Sequence, residues 1–125
     1  MIGNDIVDLK LAYKESNWQR KGFLDKIFTT QEQHQIRSSI TPNLTVWSLW
    51  SRKEAAYKIY NRQSGIRKFN PIQFECFNLE VEKVIFEGFE YYTRTLVNSR
   101  FIYSEAVVNF SDFDNIKPIL KTISK

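Results

Sequence analysis

Cysteine and histidine are almost missing from this chain, with one of each among 125 residues. A lone thiol, Cys76, cannot close an internal disulfide, which points to a reducing compartment. One cysteine and one histidine also rule out a Cys/His zinc site within a single chain. His34 sits in the polar stretch QEQHQ, which argues against a Cys–His dyad. Glycine and proline are scarce too, at 4 and 3 residues. No glycine-rich phosphate loop, GxSxG elbow or HExxH helix occurs. No apolar run approaches the roughly 18 residues of a membrane span, and the N-terminus lacks the regions of a signal peptide. A soluble, cytoplasmic protein is expected, with no membrane partner. Repeats, low-complexity segments and linkers are absent, so residues 1–125 are read as one domain, with the tail from about Ser111 unplaced.

What the chain does have is apolar and aromatic residues, at 42% and 15%, enough for a packed core rather than disorder. The net charge of +4 suits an acidic protein partner, a phosphate-rich ligand or nucleic acid equally well.

The most informative stretch is WSRKEAAYK, Trp50 to Lys58. Read as a helix, it puts Trp47, Ser51, Glu54 and Lys58 on one stripe, with Val46, Leu49, Trp50, Ala56, Tyr57 and Tyr60 on the neighbouring face. Taken alone, Glu54 and Lys58 form an ordinary surface pair worth a few tenths of a kcal/mol. Lys53 falls within the aromatic face, where its stem can snorkel past Trp50 and Tyr57 or its ammonium can meet an anion.

Around this helix the chain reads in order. MIGNDIVDL alternates as a strand, with Gly3, Asp5 and Val7 on one face and Ile2, Asn4, Ile6 and Asp8 on the other. Asp5, flanked by Ile6 and Val7, needs a cation or hydrogen-bond donors to stay charged near buried surface. Lys10 to Lys21 is basic, either a solvated helix or a docking surface for an acidic protein. GFLDKIF makes a short apolar turn. Thr29 and Glu32 have capping-box spacing, predicting a helix from Thr30 to about Ser38. Thr41-Pro42 supplies an N-cap and a first-turn proline for the long helix, which is expected to reach Asn61. RQSGIRKFNP is a basic loop, either plainly solvated or able to close over phosphates. Strand patterns follow from IQFECFNLEV through VEKVIFE, FEYYTRTLV and RFIYSEAVVNF, with Gly88 and Asn98-Ser99 as turns. The expected class is α+β, an antiparallel sheet packed on the long helix.

If the fold joins Asp5 to Glu54, two hard carboxylates become available for Mg²⁺, with Lys58 facing a phosphate. GNDIVDL and WSRKEAAYK, in this order and about 45 residues apart, resemble the two signature motifs of the 4′-phosphopantetheinyl transferase superfamily. Gly3, Asp5, Ile6, Trp50, Lys53, Glu54, Ala55 and Lys58 fill the motif positions. FLDKIFTTQE and SGIRKFNPIQFECF resemble further family segments, and the length matches its short, holo-acyl-carrier-protein synthase-like branch. The resemblance covers about residues 1–108.

The resemblance implies transfer of phosphopantetheine from coenzyme A to a serine of an acyl or peptidyl carrier protein, with adenosine 3′,5′-bisphosphate as the other product. It places Mg²⁺ on Asp5 and Glu54, gives Glu54 a role in deprotonating the serine, directly or through a water, and sets Lys58, helped by Lys53, against the phosphates. It also implies a homo-oligomer, a trimer with sites between subunits. An acidic carrier would dock on basic residues such as Lys14, Arg20, Lys21 and Lys26. Two departures stand out. The family's Ser-x-Ser-His-like element, which helps bind the nucleotide end of coenzyme A, carries Thr95 and Asn98 at the serine and histidine positions. Its Gly-Thr-Gly loop keeps only Gly65, and phosphate contacts from Arg62, Arg67 or Lys68 could compensate. A non-catalytic relative that binds coenzyme A or a carrier protein is the alternative. A basic single-strand-binding domain is the third reading, but no segment resembles a nucleic-acid motif, so no nucleic-acid partner is expected.

Overall fold

The alternating N-terminal residues form an edge strand, β1 (Ile2–Asp8), whose partner comes from the far end of the chain. The structure, a computed structural model, describes residues 1–78 and 80–115. Three short helices follow β1: α1 (Leu9–Glu15), α2 (Phe23–Ile27) and α3 (Thr30–Ser38). The long helix α4 (Pro42–Ser64) comes next, and then strands β2 (Glu75–Asn78), β3 (Glu82–Phe86), β4 (Phe89–Val97) and β5 (Phe101–Val107). The sheet is antiparallel throughout, in the order β1-β5-β4-β3-β2. The α+β class and the helix-on-sheet packing are as expected.

Local chemistry accounts for the boundaries. Asp8 caps α1 by accepting from the backbone N–H groups of Lys10 and Leu11. That helix ends at Glu15, well short of the Lys10–Lys21 stretch read as one unit. The Thr29–Glu32 capping box is present and starts α3 at Thr30. Pro42 opens α4 as expected, although the Thr41 side chain makes no cap bond. The helix runs past Asn61 to Ser64, where Gly65, at φ 75, closes it by donating its N–H to the Asn61 carbonyl. Pro71–Gln73 is a 3₁₀ turn rather than strand, because proline there lacks the N–H a ladder needs.

The helix and sheet meet over a core that includes Phe28, Ile36, Val46, Leu49, Ala55, Ala56, Ile59 and Ile102. Contact is closest at Gly3. A Cβ there would lie 2.1 Å from the Ala55 carbonyl oxygen and 3.0 Å from Ile59 Cγ1. Only a residue without a side chain lets β1 lie directly on the helix backbone. On the other sheet face, Phe113 packs with Val107, Ile2 and Tyr92, under the Arg94 guanidinium 4.4 Å from its ring. The tail was unplaced in the sequence; its part up to Asn115 thus forms a 3₁₀ turn covering that face, while 116–125 lies outside the described residues.

Gly3→Ala must push β1 off the helix, because the atom it meets is backbone and cannot rotate away. The expected loss is about 1–3 kcal/mol, the usual cost of overpacking, read as a lower urea midpoint at unchanged slope.

Candidate functional site

Four consecutive residues of α4 leave the helix in different directions, and together they define the site. Ser51 is buried against β1, its hydroxyl 3.4 Å from the Asp5 backbone carbonyl. Arg52 reaches the other way under the sheet, donating to Thr93, Asn78 and the carbonyls of Phe77 and Lys83. Lys53 enters the core. Glu54, half-buried, stays on the side of Asp5 and Lys58.

Lys53 overturns the expectation that it assists at the phosphates. Its side chain is fully buried and its ammonium lies 2.8 Å from Glu32, itself fully buried. Two more bonds go to the carbonyls of Pro71 and Phe74, at 2.9 and 2.7 Å. All three ammonium protons therefore have protein acceptors. Glu32 in turn accepts the backbone N–H groups of Thr29 and Cys76. The pair locks α4 to α3 and to the entry of β2. The ammonium does meet an anion, but that anion is the buried Glu32 carboxylate, and the stem does not snorkel to the surface.

Asp5 and Glu54 do come together. Lys58 bridges to β1, donating to the Asn4 carbonyl at 2.7 Å and to Asp5 Oδ1 at 3.5 Å. Asp5 Oδ2 is buried without a hydrogen-bond partner. Burial pushes the Asp5 carboxyl above its ordinary range, and Lys58 and Ser51 only partly offset this. Glu54 is raised as well, first by burial and then by the neighbouring Asp5 charge, against the pull of Lys58. Two acids thus share a single ammonium, and one orphaned oxygen is left over. The donor set fits a hard divalent cation. No group of three or more His, Cys, Asp or Glu residues able to hold a metal exists among the described residues. Two carboxylates completed by water and ligand oxygens is the arrangement Mg²⁺ favours.

The remaining sequence candidates lie elsewhere. Gly65 caps α4, and Arg67 is exposed in the following loop, which packs back through Phe69 onto Trp50 and Tyr57. Thr95 shares a cross-strand row with Ser104 and Asp5, about 10 Å from Asp5 at the usual strand spacing. Its hydroxyl meets Ser104 and Glu82 at 3.1 and 3.3 Å. The Asn98 carboxamide oxygen accepts the N–H groups of Arg100 and Phe101, forming the β4–β5 turn. That bears out Asn98-Ser99 as a turn and commits this oxygen to it. Arg20, Lys21 and Lys26 line a cavity of about 460 Å³ together with Phe23, Trp50 and Phe69, while Lys14 stands exposed on α1. Sequence reasoning missed Arg52 and Glu82, an ion pair at 3.3 Å beside Thr95. An arginine within WSRKEAAYK, beside Lys53 and Glu54, was the available signal.

A strand-borne acid and a helix-borne acid thus stand beside one ammonium on an α+β scaffold. The sequence model described as "ACPS: 4'-phosphopantetheinyl transferase superfamily" matches residues 1–115, and the chain belongs to that superfamily. It is similar to the holo-[acyl-carrier-protein] synthase of Fusobacterium nucleatum, at 30% identity over 82 residues, covering 66% of this chain and 64% of that protein. The aligned part is thus slightly under two-thirds of that relative's length. Among solved structures, holo-[acyl-carrier-protein] synthase from Neisseria meningitidis matches with a TM-score of 0.69 at 17% identity, covering 84% of this chain and 94% of that one. The Helicobacter pylori synthase in complex with coenzyme A also scores 0.69, at 18% identity, with coverages of 87% and 100%. At these identities the structures speak for the shared fold.

The raised carboxyls set a pH dependence with a definite sign. A carboxyl that holds its proton more tightly when folded contributes stability below its unfolded value, and loses it as pH rises through the folded one. The ordinary values are 3.8 for Asp5 and 4.5 for Glu54. In metal-free buffer, Asp5→Asn should therefore raise Tm at pH 7.5 by about 3 °C, equivalent to roughly 1 kcal/mol, and by less at pH 4. Thermal scans at the two pH values check this.

Proposed function

We propose that the chain transfers the 4′-phosphopantetheine group from coenzyme A to a serine hydroxyl of an acyl or peptidyl carrier protein. The observation that carries this reading is the Asp5–Glu54 pair with Lys58 beside it, in a chain whose family match runs from residue 1 to 115. Asp5 and Glu54 would hold Mg²⁺, which supplies charge neutralisation for the pyrophosphate.

The chain's own residues account for the rest. Glu54, raised by burial and by Asp5, is a stronger base than a free carboxylate and takes the proton of the attacking serine. The serine oxygen forms a bond to the phosphorus next to pantetheine as that phosphorus releases its bond to the adenosine 3′,5′-bisphosphate oxygen. Lys58, half-exposed and reaching out from α4, balances the charge that the leaving phosphate gains. Lys53 acts only through position, fixing the helix turn that presents Glu54.

The carrier would dock at the cavity lined by Arg20, Lys21 and Lys26, where Phe23 and Trp50 add apolar surface beneath the charges. Complementary charge there speeds encounter and makes it sensitive to salt. A homotrimer fits the separation of the two halves of the site. Ser51 faces Asp5 while Arg52 reaches Thr93 and Asn78, so α4 stands between the carboxylate pair and the Thr95 side. As the resemblance implies, one coenzyme A would then take Asp5 and Glu54 from one copy and the Thr95 side from another. No helix among the described residues is long and apolar enough to cross a membrane; a cytoplasmic location belongs to the same proposal.

An apo carrier protein incubated with coenzyme A and Mg²⁺ should gain the mass of phosphopantetheine. Glu54→Ala should lower the rate at least 100-fold, and Lys21→Glu with Lys26→Glu should raise KM about tenfold while flattening the salt dependence. A wild-type chain that binds coenzyme A without any mass shift would instead be a non-catalytic relative. Light scattering should return three times the 14.9 kDa chain mass; a monomer at assay concentration contradicts the shared site.

A further inference from the structure

Thr95 opens onto a second cavity, of about 370 Å³, between the start of α4 and strands β2 to β4. Thr45, Ser48, Gln35 and Asn78 supply hydroxyls and amides to its wall, and Arg52 and Glu82 are the charged groups among its described lining residues. Those two neutralise each other at 3.3 Å. Arg52 has no cation to spare: it is buried, and four of its five N–H groups already reach Thr93, Asn78, Phe77 and Lys83. Glu82 is more open, with 38% of its side chain exposed. Besides Arg52 it accepts from Thr93 and Thr95 at 3.4 and 3.3 Å. A phosphate dianion entering here would approach a carboxylate and find no unpaired cation in the wall. The N-terminus of α4 adds about half a positive charge, less than the full negative charge of Glu82.

From this charge balance we infer that the cavity takes the nucleoside end of the donor without a ribose phosphate, so that 3′-dephospho-coenzyme A serves about as well as coenzyme A. The inference rests on the transferase reading for the donor's identity, and on Thr95 standing where the resemblance puts a nucleotide-binding residue. The selectivity itself follows from Glu82 and the occupied guanidinium. Hydroxyls and amides in the wall suit ribose hydroxyls and a base edge, which need hydrogen bonds rather than charge. Removing the Glu82 carboxylate turns the cavity net positive, because Arg52 loses its only ionic partner there.

The test compares carrier modification with coenzyme A and with 3′-dephospho-coenzyme A, and measures the affinity of each by calorimetry. Wild type should show kcat/KM values within about threefold of each other. Glu82→Gln should shift the ratio at least tenfold towards coenzyme A, and being a ratio within one protein this is independent of how well the variant folds. A wild-type preference for coenzyme A above tenfold, or an unchanged ratio in Glu82→Gln, overturns the inference. Should neither donor be transferred, calorimetry still decides: equal affinities uphold the inference while the transferase reading fails. A preference for coenzyme A, or binding of neither, overturns it.

Discussion

Everything at the site depends on the backbone of β1 touching the backbone of α4. A carbonyl oxygen 2.1 Å from where a Cβ would stand leaves room for hydrogen alone. That contact sets the height of Asp5 above the helix, and with it the reach of the Lys58 ammonium and the mutual repulsion felt by Glu54. The glycine and the aspartate of the first motif therefore do one job in two parts. The first brings the strand in, and the second uses the proximity.

The helix turn that meets β1 is held on both sides by buried charge. Arg52 fastens it to β2, β3 and β4, and Lys53 fastens it to α3 and the 71–74 turn. Removing one partner of such a pair leaves an unpaired buried charge and costs about 3–5 kcal/mol. The rigidity matters because the site itself is electrostatically unfavourable, with two raised carboxyls and one orphaned oxygen. Stability from the helix's other sides offsets the cost of holding these two carboxyls close together.

Much of this was legible in the sequence because it is local. The capping box at Thr29, Pro42 at the head of α4, the alternation of β1 and the Asn98 turn are all set by neighbours within four residues. The Asp5–Glu54 pairing was legible only because two motifs occur in the right order. Lys53 was misread because its partner, Glu32, lies 21 residues away in another helix, and no spacing rule links them. Arg52 and Glu82 were missed for the same reason, since one lies on α4 and the other on β3. The described part of the tail could not be placed because Phe113 packs against a strand face that only the folded sheet creates.

β1 is an edge strand, and an edge is a template for unwanted pairing. Two cations from α4 already occupy its rim: Lys58 holds the Asn4 carbonyl and Arg62 the Ile2 carbonyl. Lys58 is thus a guard against strand addition as well as a partner of Asp5. Without the Lys58 ammonium the Asn4 carbonyl would stand open to another strand, with Arg62 left as the cation on that rim.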